Sequence, residues 1–253
     1  MNRTQRQTIG FAELSRSGAV AKGQAARAAP RRLLGSARRS QHERRAEAEA
    51  RLIAAALGLL SRKGWVGMTL AEVGEAAGYS RGHATHHFGS KGALLRALTS
   101  HINHSFAQEM HAAQPSLPGL QAVLSYVRVY FGRSDPTWTN TRALLLLLAE
   151  ALLETSDTAE VVARYNHEMF MWLEENLRLG VAQGEVRRDV DPAFGAEFVV
   201  GALRGLAQQR LSQGYVANLR RDKDRLVQMI ERALAAPGMS AASTSLRKSS
   251  TLP

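Results

Sequence analysis

Residues 69–91 read TLAEVGEAAGYSRGHATHHFGSK, and the chemistry of that stretch sets the fold. Thr69-Leu70-Ala71-Glu72 has the spacing of a capping box, in which the Thr69 hydroxyl accepts from a first-turn amide and Glu72 reaches back to the cap amide. Leu70, Val73, Ala76 and Ala77 follow at helical spacing and give a short helix with one buried face. Gly78 ends it, because a sharp turn needs a left-handed backbone that glycine adopts without a Cβ clash. Ser80 is then expected to N-cap a second helix over 81–88. Two helices around a tight glycine turn make a helix-turn-helix, whose second helix presents its N-terminal side chains to base edges in the major groove. Ser90 caps a further helix with Lys91 in its first turn. A cation there opposes the helix dipole, a cost that phosphate bound at the same helix end would relieve.

Charge points the same way. No Asp or Glu occurs from Ala76 through Gln108, a span that carries Arg81, Lys91, Arg96 and the histidines 83, 86, 87, 101 and 104. An acid-free surface beside a polyanion avoids repulsion and gains from counterion release. Arg81 suits guanine edges or phosphate, with His83, Thr85 and His86 facing the groove from the same helix. Thr69, His87 and Lys91 suit phosphate, which fixes register rather than reading sequence. With Ser80 and Gly82 from the turn, these seven residues form the candidate DNA-contacting set.

The residues from Ala55 to Leu95 resemble the DNA-binding domain of TetR-type bacterial transcriptional regulators. The resemblance rests on an apolar first helix (Ile53, Ala54, Ala55, Leu57, Leu60), Gly64, Met68-Thr69, Glu72-Val73, Ala77-Gly78, Ser80-Arg81-Gly82, His87-Phe88, Ser90-Lys91 and Leu94-Leu95. It implies an all-α protein: a three-helix DNA-binding domain on a larger helical domain that dimerises and often binds a small effector. It also implies a cytoplasmic regulator, in most cases a repressor. The sequence departs from the family at Thr85, where a tyrosine is usual, at Ala84, at Gly92, and at Gly74, which is expected to loosen the first helix of the motif.

The chain has 253 residues, 45% of them hydrophobic, enough for a substantial core. It has no cysteine, which excludes disulfides and thiolate metal sites. Its longest apolar run, Ala143 to Leu153, contains Glu150 and is too short to span a bilayer. Of 33 basic and 22 acidic residues, 11 and 2 fall in 1–45, leaving 22 and 20 in the rest, so the net charge of +11 belongs mainly to the N-terminal arm. Residues 1–39 are rich in Arg, Ala, Ser and Gly and read as a disordered basic arm without the apolar core of a secretory signal. Three readings are open for it: a tail adding sequence-independent DNA affinity, a passive extension, or a product of too early a start codon.

The organisation that follows is the arm, a DNA-binding domain over 40–105, an effector-binding and dimerisation domain over 106–236, and a loose tail over 237–253. About nine helices are expected. Ser40-Gln41-His42-Glu43 caps the first, which runs to Lys63, and the helix after Ser90 runs to Ala112. Ser116-Leu117-Pro118 starts the next, with Leu120, Val123, Leu124, Val127 and Phe131 on its apolar face. Asp135-Pro136 precedes an apolar segment from Thr141 to Glu154, and Asp157 caps a long helix to Gln183. Asp191-Pro192 opens a helix to Gln213, and the last helix covers 216–235. No segment shows a sustained strand alternation.

The penultimate helix carries Phe194, Phe198, Gly201, Ala202, Gly205 and Leu206. Its periodicity alone fits an intramolecular core or a contact with a second copy. The resemblance implies a homodimer through the last two helices, and recognition helices about 34–36 Å apart, or a multiple, suit an inverted repeat in double-stranded DNA. Tyr126, Tyr130, Trp138, Tyr165, Met169 and Trp172 are either bundle core or the lining of an apolar effector pocket. The sequence shows no phosphate loop, catalytic carboxylate pair or nucleophile-base pair, so neither an enzyme nor a cofactor is expected. The histidines at 83, 86 and 87 have metal-face spacing but sit on the recognition helix, and no metal site is assigned. The rival reading is a helical sensor or adaptor that has lost specific DNA binding.

Overall fold

The computed structural model describes residues 41–113, 117–133, 135, 137–153, 156 and 158–238. The basic arm, Ser40, Ser116, Pro136, Glu154, Asp157 and the tail beyond 238 lie outside the described residues. Among the described residues the protein is all-helical: α1 Gln41–Lys63, α2 Leu70–Ala76, α3 His83–Phe88, α4 Lys91–Ala112, α5 Leu120–Gly132, α6 Thr139–Glu150, α7 Ala159–Ala182, α8 Pro192–Ser212 and α9 Val216–Leu234. The single departure is an isolated antiparallel bridge between Val186 and Ala235, flanked by Arg187 N–H to Leu234 O at 2.9 Å. No helix among them is long and apolar enough to cross a membrane.

Two apolar cores divide the chain, and they part on α4 between Ile102 and Phe106. The lower core joins Leu52, Leu60, Val73, Ala84, Leu95 and Leu98 of α1 to α4. It also takes Ala143, Leu144 and Leu147 from α6 and Val162 from α7. Each fully buried leucine contributes roughly 1.5–3 kcal/mol, so α6 is firmly attached to the helix-turn-helix. The upper core is built from α5, α7, α8 and α9 with Phe106 and Met110 of α4. α4 therefore belongs to both cores.

The apolar face expected of α5 is buried, with Val123, Leu124, Val127 and Phe131 all at 0% exposure. Its start differs from expectation. The helix begins at Leu120, and its first amides are satisfied from α7 and the loop after it: Asn176 Oδ1 accepts from Gly119 N–H at 3.2 Å and Glu185 Oε2 from Leu120 N–H at 2.9 Å. α6 runs from Thr139 to Glu150, beginning just ahead of the apolar segment noted over 141–154. Asp135 supports that start from outside the helix, accepting from Thr137 N–H at 3.1 Å and Asn140 N–H at 3.0 Å. α7 starts at Ala159 behind Thr158, which makes no side-chain cap bond. Asp191 caps α8 as expected, accepting from Ala193 N–H at 2.9 Å with Pro192 in the first turn.

Candidate nucleic-acid interface

The capping box at the start of α2 is complete. Thr69 Oγ1 accepts from Glu72 N–H at 3.2 Å, and Glu72 Oε2 accepts from Thr69 N–H at 3.0 Å. Lys63, the last residue of α1, donates to Glu72 Oε1 at 2.6 Å. Lys63 and then Thr69 hold the Glu72 carboxyl down to about 2, because both hydrogen-bond its charged form. The Thr69 hydroxyl is thus engaged in the box rather than presented alone to phosphate.

Gly74 reverses its expected role. A Cβ at this position would lie 2.5 Å from the Ser80 carbonyl oxygen, so the missing side chain is what lets the turn cross α2 at contact distance. Tyr79 N–H donates to Gly74 O at 2.9 Å across the same crossing. Gly78 takes the left-handed conformation, φ 80°, that the turn requires.

Ser80 is not the side-chain cap of the recognition helix. Residues 80–82 form the turn, α3 starts at His83 behind Gly82, and no side chain caps it. His83 N–H instead takes the Ser80 carbonyl at 3.0 Å. The helix is shorter than the expected 81–88 because the Ser80 backbone is committed to its passage over Gly74. Ala84, fully buried, anchors α3 in the lower core.

The candidate contact residues fall into two groups. Arg81, Gly82, Thr85 and His86 are exposed. His83 is stacked on Tyr79, with ring centroids 4.3 Å apart and planes 14° apart. His87 is turned inward, its side chain only 10% exposed and 3.6 Å from Glu49 of α1. Its ring, expected to suit phosphate, lies against α1 instead of standing clear in solvent. Lys91 Nζ sits 4.8 Å above the Trp65 ring and donates to Val66 O at 3.4 Å, tying the start of α4 to the α1–α2 turn. Ser90 caps α4 through Ala93 N–H at 3.1 Å.

Several participants were not singled out in the sequence: Tyr79, Lys63 and Glu75, whose Oε1 holds Arg81 Nη1 at 3.0 Å; Gly74 was, but for the opposite role. A glycine inside a helical pattern is the one signal that marked such a crossing in advance.

Residues 52–98 match the sequence model of the bacterial regulatory proteins of the tetR family. Over those residues the chain is similar to the tetR family. The tetR-family region accounts for the similarity to the HTH-type transcriptional regulator CymR of Pseudomonas putida, 53% identical over 60 residues. That match covers 24% of this chain and 30% of the relative, so the chain spans under a third of the length of the curated relative it matches.

Solved structures extend the likeness of fold to about three quarters of the chain. A TetR transcriptional regulator from Chloroflexus aurantiacus superposes with a TM-score of 0.65 at 18% identity, covering 76% of this chain and 98% of that one. SmeT, the repressor of the Stenotrophomonas maltophilia multidrug efflux pump SmeDEF, gives 0.57 at 20% identity, over 76% and 92%. FadR from Bacillus subtilis, solved with stearoyl-CoA, gives 0.61 at 12% identity, over 72% and 96%. At these identities the likeness is one of fold.

The rest of this tetR-fold chain carries the other two candidate sites. Tyr126, Tyr130, Trp138, Met169 and Trp172 are buried together in the upper core. They pack on one another and on Phe106, as in the edge-on contact of Phe106 with Tyr126 at 5.1 Å and the Tyr126 hydroxyl donating to Met169 Sδ at 2.8 Å. Burial raises the phenols of Tyr126 and Tyr165 and pushes Tyr130 up to about 12. Trp138 is the residue preceding α6, left-handed at φ 57° and 1% exposed. A cavity of about 330 Å³ opens elsewhere, between α4 and α7. Of the six expected pocket residues only Tyr165 lines it, and arginines and glutamates of the two helices line much of the rest. On α8, Phe194 and Phe198 are 68% and 44% exposed. Gly201 and Gly205 are exposed too, while Ala202 and Leu206 are half-buried.

Proposed function

We propose that this chain is a sequence-specific DNA-binding transcriptional repressor, acting as a homodimer on an inverted repeat and responding to a small effector in the domain above α4. The observation that carries the reading is the α2–α3 crossing through Gly74, which sets a short acid-free helix against α2 with Arg81, Thr85 and His86 exposed together. Those side chains have the chemistry of base-edge and phosphate contacts. The exposed phenylalanines of α8, Phe194 and Phe198, support self-association, since apolar side chains left outside the core gain by being covered. Repression and effector response are favoured by the tetR likeness: SmeT is a repressor, and FadR was solved with a bound acyl-CoA.

The test is a mobility-shift titration of the full chain on the DNA upstream of its own gene, with an intact and a half-deleted inverted repeat. Selective binding to the intact repeat is expected. Equal binding to random DNA, or none, would overturn the regulator reading in favour of a helical sensor or adaptor.

A further inference from the structure

The cavity between α4 and α7 differs in chemistry from the aromatic core above it. On α4, Arg96, Ser100 and Asn103 are spaced i, i+4 and i+7, so they share one face. Across from them α7 contributes Arg164, Tyr165 and Glu168. Asn103 Nδ2 donates to Glu168 Oε2 at 3.4 Å, bridging the two helices, while Asn103 Oδ1 is buried without a hydrogen-bond partner. An amide oxygen with no donor inside a structure is a standing cost, and a ligand donor group would remove it. Arg96 is exposed and lines the cavity. Arg164 is held by Glu160 at 3.0 Å.

We infer that this cavity is a site for a small linear zwitterion. Its ammonium end donates to Asn103 Oδ1 and Glu168, and its carboxylate end meets Arg96. Arg96 and Asn103 are seven residues apart on one helix, about 10 Å along its axis, and both line the cavity. A molecule carrying opposite charges at its two ends spans that distance, and the Tyr165 ring supplies a wall for its methylenes. The cavity volume of about 330 Å³ is within the range of small-molecule sites.

This inference rests on the effector reading above and gives it a chemical class. Ligand binding here competes with the Asn103–Glu168 bridge and shifts α4 relative to α7. Lys91, in the first turn of the same α4, holds the α1–α2 turn at Val66 and Trp65, and Leu94 and Leu95 of α4 share the lower core with Ala84 of α3. A population shift at the cavity therefore reaches the DNA-facing end through one continuous helix.

The test is calorimetric titration of the full chain with ω-amino acids of four to eight carbons, beside hexanoate and hexylamine as one-ended controls. The expected result is one-to-one binding of at least one ω-amino acid, tenfold or more tighter than either control. N103L and S100F should each weaken it at least tenfold while keeping the thermal unfolding temperature. Should S100F fail to fold, E168Q serves as the second variant, with the same expected loss. No binding by any ω-amino acid, equal binding of the controls, or unchanged binding by the folded variants would overturn the site. DNA binding measured without ligand separates the two readings: its loss strikes the regulator, whereas a DNA-competent protein that ignores every ω-amino acid strikes only the zwitterion.

Discussion

Arg81 Nη1 lies 3.0 Å from Glu75 Oε1, so the exposed arginine just ahead of α3 is held by a carboxylate of the preceding helix. The pair is largely exposed, and exposed pairs contribute roughly 0–1 kcal/mol. Under the proposed function DNA and Glu75 compete for one guanidinium, so the pair bears on recognition more than on stability.

Removing the competitor should strengthen binding and blunt selectivity. Glu75→Gln is expected to raise affinity for random DNA several-fold and steepen its salt dependence, since one more cation becomes available to phosphate. Arg81→Ala should do the opposite to the operator complex, lowering discrimination by about 1–3 kcal/mol if the contact is bidentate to guanine. Fluorescence anisotropy across a salt series reads both, and an Arg81→Ala protein that still discriminates would remove Arg81 from base reading.

Gly74→Ala forces a Cβ to within 2.5 Å of the Ser80 carbonyl. Overpacking against backbone of this kind costs about 1–3 kcal/mol, and here the strain falls on the crossing that orients α3. Urea unfolding should show the loss, and operator binding should fall further than stability alone accounts for. A variant with full stability and full binding would show that the crossing can relax.

The Glu72 carboxyl is held at about 2 in the folded protein, below its ordinary value near 4.5, through Lys63 and Thr69. Because the folded value is depressed, its contribution is fully present above pH 4.5. It is lost as pH falls from there toward 2, where the folded form takes up the proton. Glu72→Gln should therefore flatten the acid side of the stability curve and leave the region above pH 6 lower but parallel. Thermal melts from pH 2 to 7 check this, and identical curves for both proteins would assign the acid sensitivity to other groups.

Phe194 and Phe198 are exposed on α8 although each would stabilise a covered interface by roughly 1.5–3 kcal/mol. The double variant F194D/F198D should sediment as a monomer and bind a half-site about as well as a full inverted repeat. Retention of a dimer would place the interface on another face.

The sequence by itself determined the local devices, because each depends on residues a few positions apart. The capping box of Thr69 and Glu72, the Gly78 turn, the Ser90 and Asp191 caps and the apolar face of α5 all follow from short-range hydrogen bonding and periodicity. Tertiary structure decided what depends on approach between segments. Gly74 reads as a flaw until Ser80 is found lying on it, and Ser80 as a side-chain cap until its backbone is committed there. His87 has the chemistry of a phosphate contact, yet α1 brings Glu49 to its inner side. Composition leaves the aromatic set as either core or pocket lining, and only packing decides it: most of the set is buried in the upper core, while a charged cavity opens between α4 and α7. Residues 69–91 named the module; the contacts made by Gly74, Glu75 and Glu49, fixed by how the helices cross, decided which of its side chains face outward.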